Sequence, residues 1–199
     1  MSRGESETRV RILDATRRLM EERRGRAVRM SDVAGAAGVS RQAVYDHFGS
    51  RAKLLVAATH HVDEVRGLAE RRRPFEAAGG GVGRLEAYVE FWGNYIPEIY
   101  GMARALLADR ETDPAAAAAW NDRMDAVRAS CRETVEALRR DGMLAPGWSV
   151  DEAVDVMWTM LSVRNWENLT VERGWTQEQY VSRMQELLKR ILVREPGAK

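Results

Sequence analysis

The chain has 199 residues, 45% of them apolar and 31% charged, with five prolines and one cysteine. That is enough chain for one or two domains with a proper core. The lone Cys131 excludes an internal disulfide and fits a reducing cytoplasm. No apolar run approaches the roughly 20 residues of a membrane span. The start, MSRGESETRVR, carries no hydrophobic signal segment, so the expected location is cytoplasmic. Net charge is only +1, yet residues 1–60 hold 12 Lys/Arg against 7 Asp/Glu and the remainder holds 19 against 23. A basic region beside an acidic remainder suits a chain with one phosphate-facing part and a separate body.

The first helix is expected to begin near Ser6 or Thr8. Ile12, Leu13, Thr16, Leu19 and Met20 follow the 3.6-residue period, Arg9, Arg11, Arg17, Arg18, Arg23 and Arg24 fall mostly at the other positions, and Gly25 ends the pattern. A second helix starts between Arg29 and Ser31, with Val33, Ala34 and Ala37 on its apolar face. Gly38 tolerates the positive φ that stops it, and Ser40 is a ready N-cap. Arg41 to Phe48 then form a short helix with Val44 and Phe48 inward. Its other face carries Arg41, Gln42, Tyr45 and His47: hydrogen-bond donors and flat rings with no acidic cluster. Two short helices meeting at a glycine turn make a helix-turn-helix, whose second helix can lie in a DNA major groove. An ordinary helical hairpin with a solvated polar face is the plain alternative.

Ser50 caps a further helix expected over Arg51 to Arg71, with Leu54, Leu55, Ala58, Val62 and Val65 inward and Lys53 in its first turn. His60 and His61 point about 100° apart on a helix, poor spacing for a shared metal. They read as structural or interfacial residues. Arg72 to Gly83, RRPFEAAGGGVG, reads as a flexible loop. Helix resumes over Arg84 to Tyr95, and Pro97 interrupts it before a new short helix through Leu107. Asp113-Pro114 is an N-cap and N1 pair for a long helix to about Arg140, closed by Gly142. Ser149 to Glu152 and Thr176 to Gln179 are capping boxes. The helix after the first runs through Asn165 and Leu169, and the helix after the second carries Tyr180 to Leu192. The pattern is all-α, about nine helices.

The stretches Ile12 to Ala15, Asp32 to Ala34 and Ala37 to Ser40, with Tyr45, His47-Phe48, Ser50, Lys53 and Leu54-Leu55, resemble the tetracycline-repressor (TetR) family of bacterial transcription regulators. The resemblance implies a helix-turn-helix DNA-binding domain over residues 1–50 and a helical effector-binding and dimerisation domain over 51–199. It implies a homodimer on double-stranded DNA, with Ser40, Arg41, Gln42, Tyr45 and His47 facing the groove and Lys53 on a phosphate. Arg41 can read guanine and Gln42 adenine, each bidentately. The family usually places Ser or Thr near the start of the second helix. Here Arg29 stands there, and it can substitute as a cation. Two recognition helices about one DNA turn (~34 Å) apart require a pseudo-palindromic operator.

Six apolar residues of the last two capped helices, Val154, Met157, Leu161, Met184, Leu188 and Ile191, form stripes that can pair with a second copy as a four-helix bundle. Completion of the monomer core is the competing reading. Trp92, Tyr95, Tyr100, Met102, Trp120, Met124, Trp158, Asn165 and Trp166 are candidate walls of an effector pocket for a small, largely apolar or aromatic molecule. For each residue alone, a place in the core is the competing reading. No Gly-rich phosphate loop, Glu-x-x-His pair or Cys/His or Ser/His spacing occurs, so no enzyme activity, cofactor or metal is expected. A regulator that binds DNA or a partner constitutively, without an effector, remains the alternative.

Overall fold

The computed structural model describes residues 3–23 and 28–194. Those residues form ten α-helices and one π-helical turn. They divide into two compact units, Met1–Gly67 with Ile99–Met124 and Leu68–Glu98 with Asp125–Lys199. This division differs from the boundary expected at 50/51. The helix that follows the helix-turn-helix buries Leu54, Leu55, Ala58 and Val62, and it belongs with the head.

In the first unit, α1 spans Arg3–Arg23, α2 Met30–Ala37, α3 Arg41–Phe48 and α4 Arg51–Val65. Helix α1 begins earlier than Ser6, and its expected end at Gly25 lies outside the described residues. Ile12, Leu13, Ala15 and Met20 are buried, as are Val33, Ala34, Val44 and Phe48. Helix α4 stops short of the expected Arg71 because Gly67 takes φ +67°, a left-handed conformation that ends the helix. His61 bonds Asp14 at 3.0 Å and His60 pairs with Asp122 at 3.0 Å. Both histidines thus tie α4 to its neighbours. No group of three metal-ligating side chains occurs among the described residues.

The expected loop over 72–83 is mostly helix. Helix α5 spans Leu68–Ala77 and contains Pro74. Phe75 is fully buried beneath the guanidinium groups of Arg72 (5.4 Å) and Arg84 (4.9 Å), with the Tyr88 ring at 5.1 Å. One aromatic anchor and its cation–π partners order a segment whose glycines read as flexible. Helix α6 then runs unbroken over Gly80–Asp109, with Pro97 inside it. Pro97 has no N–H to give the Gly93 carbonyl four residues back. Gln177 Nε2 supplies the missing donor at 2.7 Å, and the Trp166 indole N–H donates to Gln177 Oε1 at 2.9 Å.

Helix α7 spans Pro114–Arg140 and begins as expected, the Asp113 carboxylate accepting from the Ala115 N–H at 3.0 Å. Helix α8, Val150–Met160, opens on the expected Ser149 capping box. It does not reach Asn165. Ser162 N-caps a new helix α9, Val163–Trp166, which passes into a π-helical turn, Glu167–Glu172. Because Ser162 Oγ takes the Asn165 N–H, the Leu161 carbonyl loses its helical partner and accepts from the Trp92 indole instead, at 2.8 Å. Helix α10, Gln177–Leu192, is capped by Thr176 as expected. No described helix is long and apolar enough to cross a membrane.

Candidate nucleic-acid interface

Local chemistry fixes the two helices of the head. Gly38 sits at φ +66° and donates to the Ala34 and Gly35 carbonyls, ending α2. Ser40 Oγ accepts from the Ala43 N–H at 3.0 Å and starts α3. At the other end Gly49 takes φ +71°, and Ser50 Oγ accepts from the Lys53 N–H at 3.2 Å. Val44 and Phe48 anchor α3 inward, and the Arg9 guanidinium lies 4.5 Å from the Phe48 ring.

The outward face is the expected one. Ser40, Arg41 and Gln42 are exposed, while Tyr45 and His47 are half-buried. Arg41 leans along the helix, its guanidinium 5.5 Å from the Tyr45 ring centre and 3.4 Å from its hydroxyl. Gln42 Nε2 donates to Asp46 Oδ1 at 2.8 Å. Asp46 escaped the sequence reading, although its spacing of four from Gln42 is the helical pair rule. It holds the Gln42 amide on the helix surface, so bidentate contact with a base must displace it.

Around this face lie cations of two kinds. Arg29 is the exposed N-cap residue of α2, and its backbone N–H donates to the Asp32 carboxylate at 3.2 Å. Its guanidinium has no acceptor and cannot complete a capping box. The Arg29 side chain therefore offers charge where Ser or Thr would offer a hydroxyl. Lys53 is exposed on the first turn of α4. Arg51, two residues earlier, is not: its side chain is 23% exposed and ion-paired with Asp113.

The six residues expected to pair with a second copy need correction. Val154, Met157, Leu161, Met184 and Leu188 are buried within the single chain, so their side chains are already committed. Of the six, only Ile191 keeps partial exposure. The nine effector candidates divide in the same way. Trp92, Tyr95, Met102, Trp120 and Trp166 are buried. Trp92 and Trp166 spend their indole N–H groups on Leu161 and Gln177, and Asn165 Nδ2 donates to the Thr159 carbonyl at 2.8 Å. These three satisfy backbone or side-chain groups at helix interruptions. Tyr100, Met124 and Trp158 remain half-buried.

Residues 12–58 match the sequence model of bacterial regulatory proteins of the tetR family. The transcriptional regulator AlkX of Mycobacterium tuberculosis is 54% identical over 43 residues, 22% of this chain and 20% of that protein. The chain therefore aligns with a fifth of the length of this curated relative. Among solved structures, a protein from Saccharomonospora viridis in complex with choline superposes with TM-score 0.73 at 19% identity, covering 96% of this chain and 100% of that one. NalD, the secondary repressor of the MexAB-OprM multidrug efflux pump in Pseudomonas aeruginosa, superposes with TM-score 0.69 at 20% identity, covering 98% and 100%. At these identities the superpositions show the fold, and the matched model supplies the DNA-binding helix-turn-helix. Residues 12–58 thus match a tetR-family head, and the chain as a whole has the TetR-type fold of the regulators it superposes on.

Proposed function

We propose that this chain is a repressor that binds a pseudo-palindromic operator as a dimer and is released by a small, largely apolar or aromatic effector. The observation that carries the reading is the α2–α3 pair, fixed at both ends by caps and presenting Arg41, Gln42 and Tyr45 outward. Arg29 and Lys53 flank that face as phosphate contacts, which fix register while Arg41 and Gln42 specify sequence. TetR-family regulators act as dimers and often respond to ligands, and the choline-bound relative is an example of a liganded one. For this chain the dimer face falls on side chains that its own core leaves partly open. These are Val156 and Met160 on α8, and Leu187 (38% exposed) and Ile191 on α10. Each pair is four residues apart, so each lies along one helix face.

Selection of duplexes from a random-sequence library tests the reading. The expected product is an inverted repeat whose affinity falls steeply with salt. Arg41→Ala should relax preference at one base per half-site by roughly 1–3 kcal/mol, whereas Lys53→Ala should weaken all sequences and reduce the salt slope by about 1. Failure to enrich any salt-sensitive sequence would refute it. The burial of Trp92, Tyr95 and Trp166 favours the second reading, a constitutive DNA-binding regulator. Challenge of the bound complex with choline and a panel of apolar amines and aromatic acids separates the two, since only the first reading expects release.

A further inference from the structure

Arg51 and Lys53 share one turn of α4 and look alike in the sequence as cations beside the DNA-facing helix. The structure sorts them. Arg51 Nη1 contacts both carboxylate oxygens of Asp113, at 2.6 and 2.5 Å, and Nε donates to the Val28 carbonyl at 2.5 Å. Val28 directly precedes Arg29, the N-cap residue of α2. Asp113 is the N-cap of α7 and lies at the end of the turn that follows α6. One guanidinium therefore joins three points: the entry to the helix-turn-helix, its exit at Ser50–Arg51, and the first turn of α7.

The join is tight. Asp113 is 13% exposed, and the space lined by Val28, Arg51, Leu55, Leu106, Asp109 and Ala116 holds only about 10 Å³, scarcely room for one water. Charge-assisted bonds of this kind are strong and directional, and the planar fork fixes orientation as well as distance. Asp109 completes the acidic side of the join. Burial and the Asp113 charge raise its carboxyl pKa, and Arg51 lowers it.

We propose that Arg51 is a positioning residue for DNA binding rather than a phosphate contact, and that Asp113 supports operator affinity without touching DNA. The proposal rests on the DNA-binding reading of the head. Base contacts need their supporting frame held to a fraction of an ångström, and here the frame is closed by one side chain acting on both ends of the α2–α3 pair.

The test uses the full chain and the duplex that the wild-type protein enriches from a random 30-base-pair library. Asp113→Asn removes the charge and keeps an N-cap, so α7 retains its start. It should lower affinity by roughly tenfold, a typical coupling between sites, with the slope of log affinity against log salt unchanged. Arg51→Gln should do the same, and the double variant should be no weaker than either single one. Thermal melting of the three variants reports folding, and amide exchange at Met30–Val33 and Arg51–Leu54 should speed up in each. If Arg51 instead touches a phosphate, Arg51→Gln alone lowers the salt slope by about 1, and Asp113→Asn leaves affinity equal or higher. Either result overturns the proposal. So does a folded Asp113→Asn variant with wild-type affinity. A wild-type protein that enriches no duplex overturns the DNA-binding reading itself, and the proposal falls with it.

Discussion

Gly81→Ala is expected to be among the most damaging single-methyl additions to this chain. A Cβ at Gly81 would sit 2.5 Å from both the Cα and N of Leu138 and 2.8 Å from the Ala137 carbonyl carbon. These are backbone atoms of α7, so no side-chain rotation relieves the clash, and α6 and α7 must part by about 1 Å to restore normal contact. That movement also stretches the bond from the Gly81 N–H to the Asp141 carboxylate, now 2.6 Å. Overpacking costs about 1–3 kcal/mol, and a hydrogen bond to a charged group about 1.5–3 kcal/mol. The sum is roughly 2.5–6 kcal/mol, a fall in melting temperature of about 5–24 °C for a chain of this size. Gly83→Ala is the control. It lies in the same helix with nothing within 4 Å of its new Cβ, so it should be neutral or stabilise by about 0.5–1 kcal/mol. Both variants are melted at one fixed protein concentration, because the stability of any chain that self-associates depends on it. Equal melting temperatures for the two would refute the close-approach argument.

Two further predictions rest on the body. Cys131 is fully buried, and burial pushes its thiol up to about 12. In native protein at pH 8 it should therefore resist iodoacetamide, reacting fully only after denaturation; rapid native labelling would show that α7 opens locally. Gln177→Met should destabilise by about 1–3 kcal/mol, because the Gly93 carbonyl loses its donor at 2.7 Å. Adding Pro97→Ala should recover most of that loss by restoring a backbone N–H. Additive losses in a double-mutant denaturation series would contradict this account.

The head was legible because its signals are local. Gly38, Ser40 and Ser50 each act within four residues, and the structure places each where the pattern does. Phe75 and Pro97 depart from the pattern because tertiary contacts decide them. Phe75 is held by Arg84 and Tyr88 across the next turn of chain, and the gap at Pro97 is filled by Gln177, far along it. A proline in a helix pattern or a glycine-rich run carries a local expectation of a break, and tertiary packing overrides it. The apolar stripes of α8 and α10 turn on a related point. Period alone identifies an apolar face but not which apolar residues the chain itself covers, and Leu187 and Ile191 differ from Leu188 only in that.

These overrides share one construction, and it bears on the search for an effector. The interruptions at Pro97 and Ser162 each free a carbonyl at a buried residue, Gly93 and Leu161, and leaving such a group without a donor would cost about 1–3 kcal/mol. At Gly93 the donor is Gln177, itself held by Trp166, and at Leu161 it is Trp92; the exposed Thr159 carbonyl, which already takes the Ser162 N–H, accepts the Asn165 amide as well. Trp92 and Trp166, which look like pocket lining, are thus donors in this repair, and a ligand that engaged their indole N–H groups would have to reopen a helix break. Their apolar faces remain able to touch a ligand, but their N–H groups are spoken for. Polar recognition of an effector would then come from elsewhere, and among the nine candidates the half-buried Trp158 is the position to substitute first. Loss of ligand-induced release in Trp158→Phe, but not in Trp92→Phe at matched stability, is the result this argument expects.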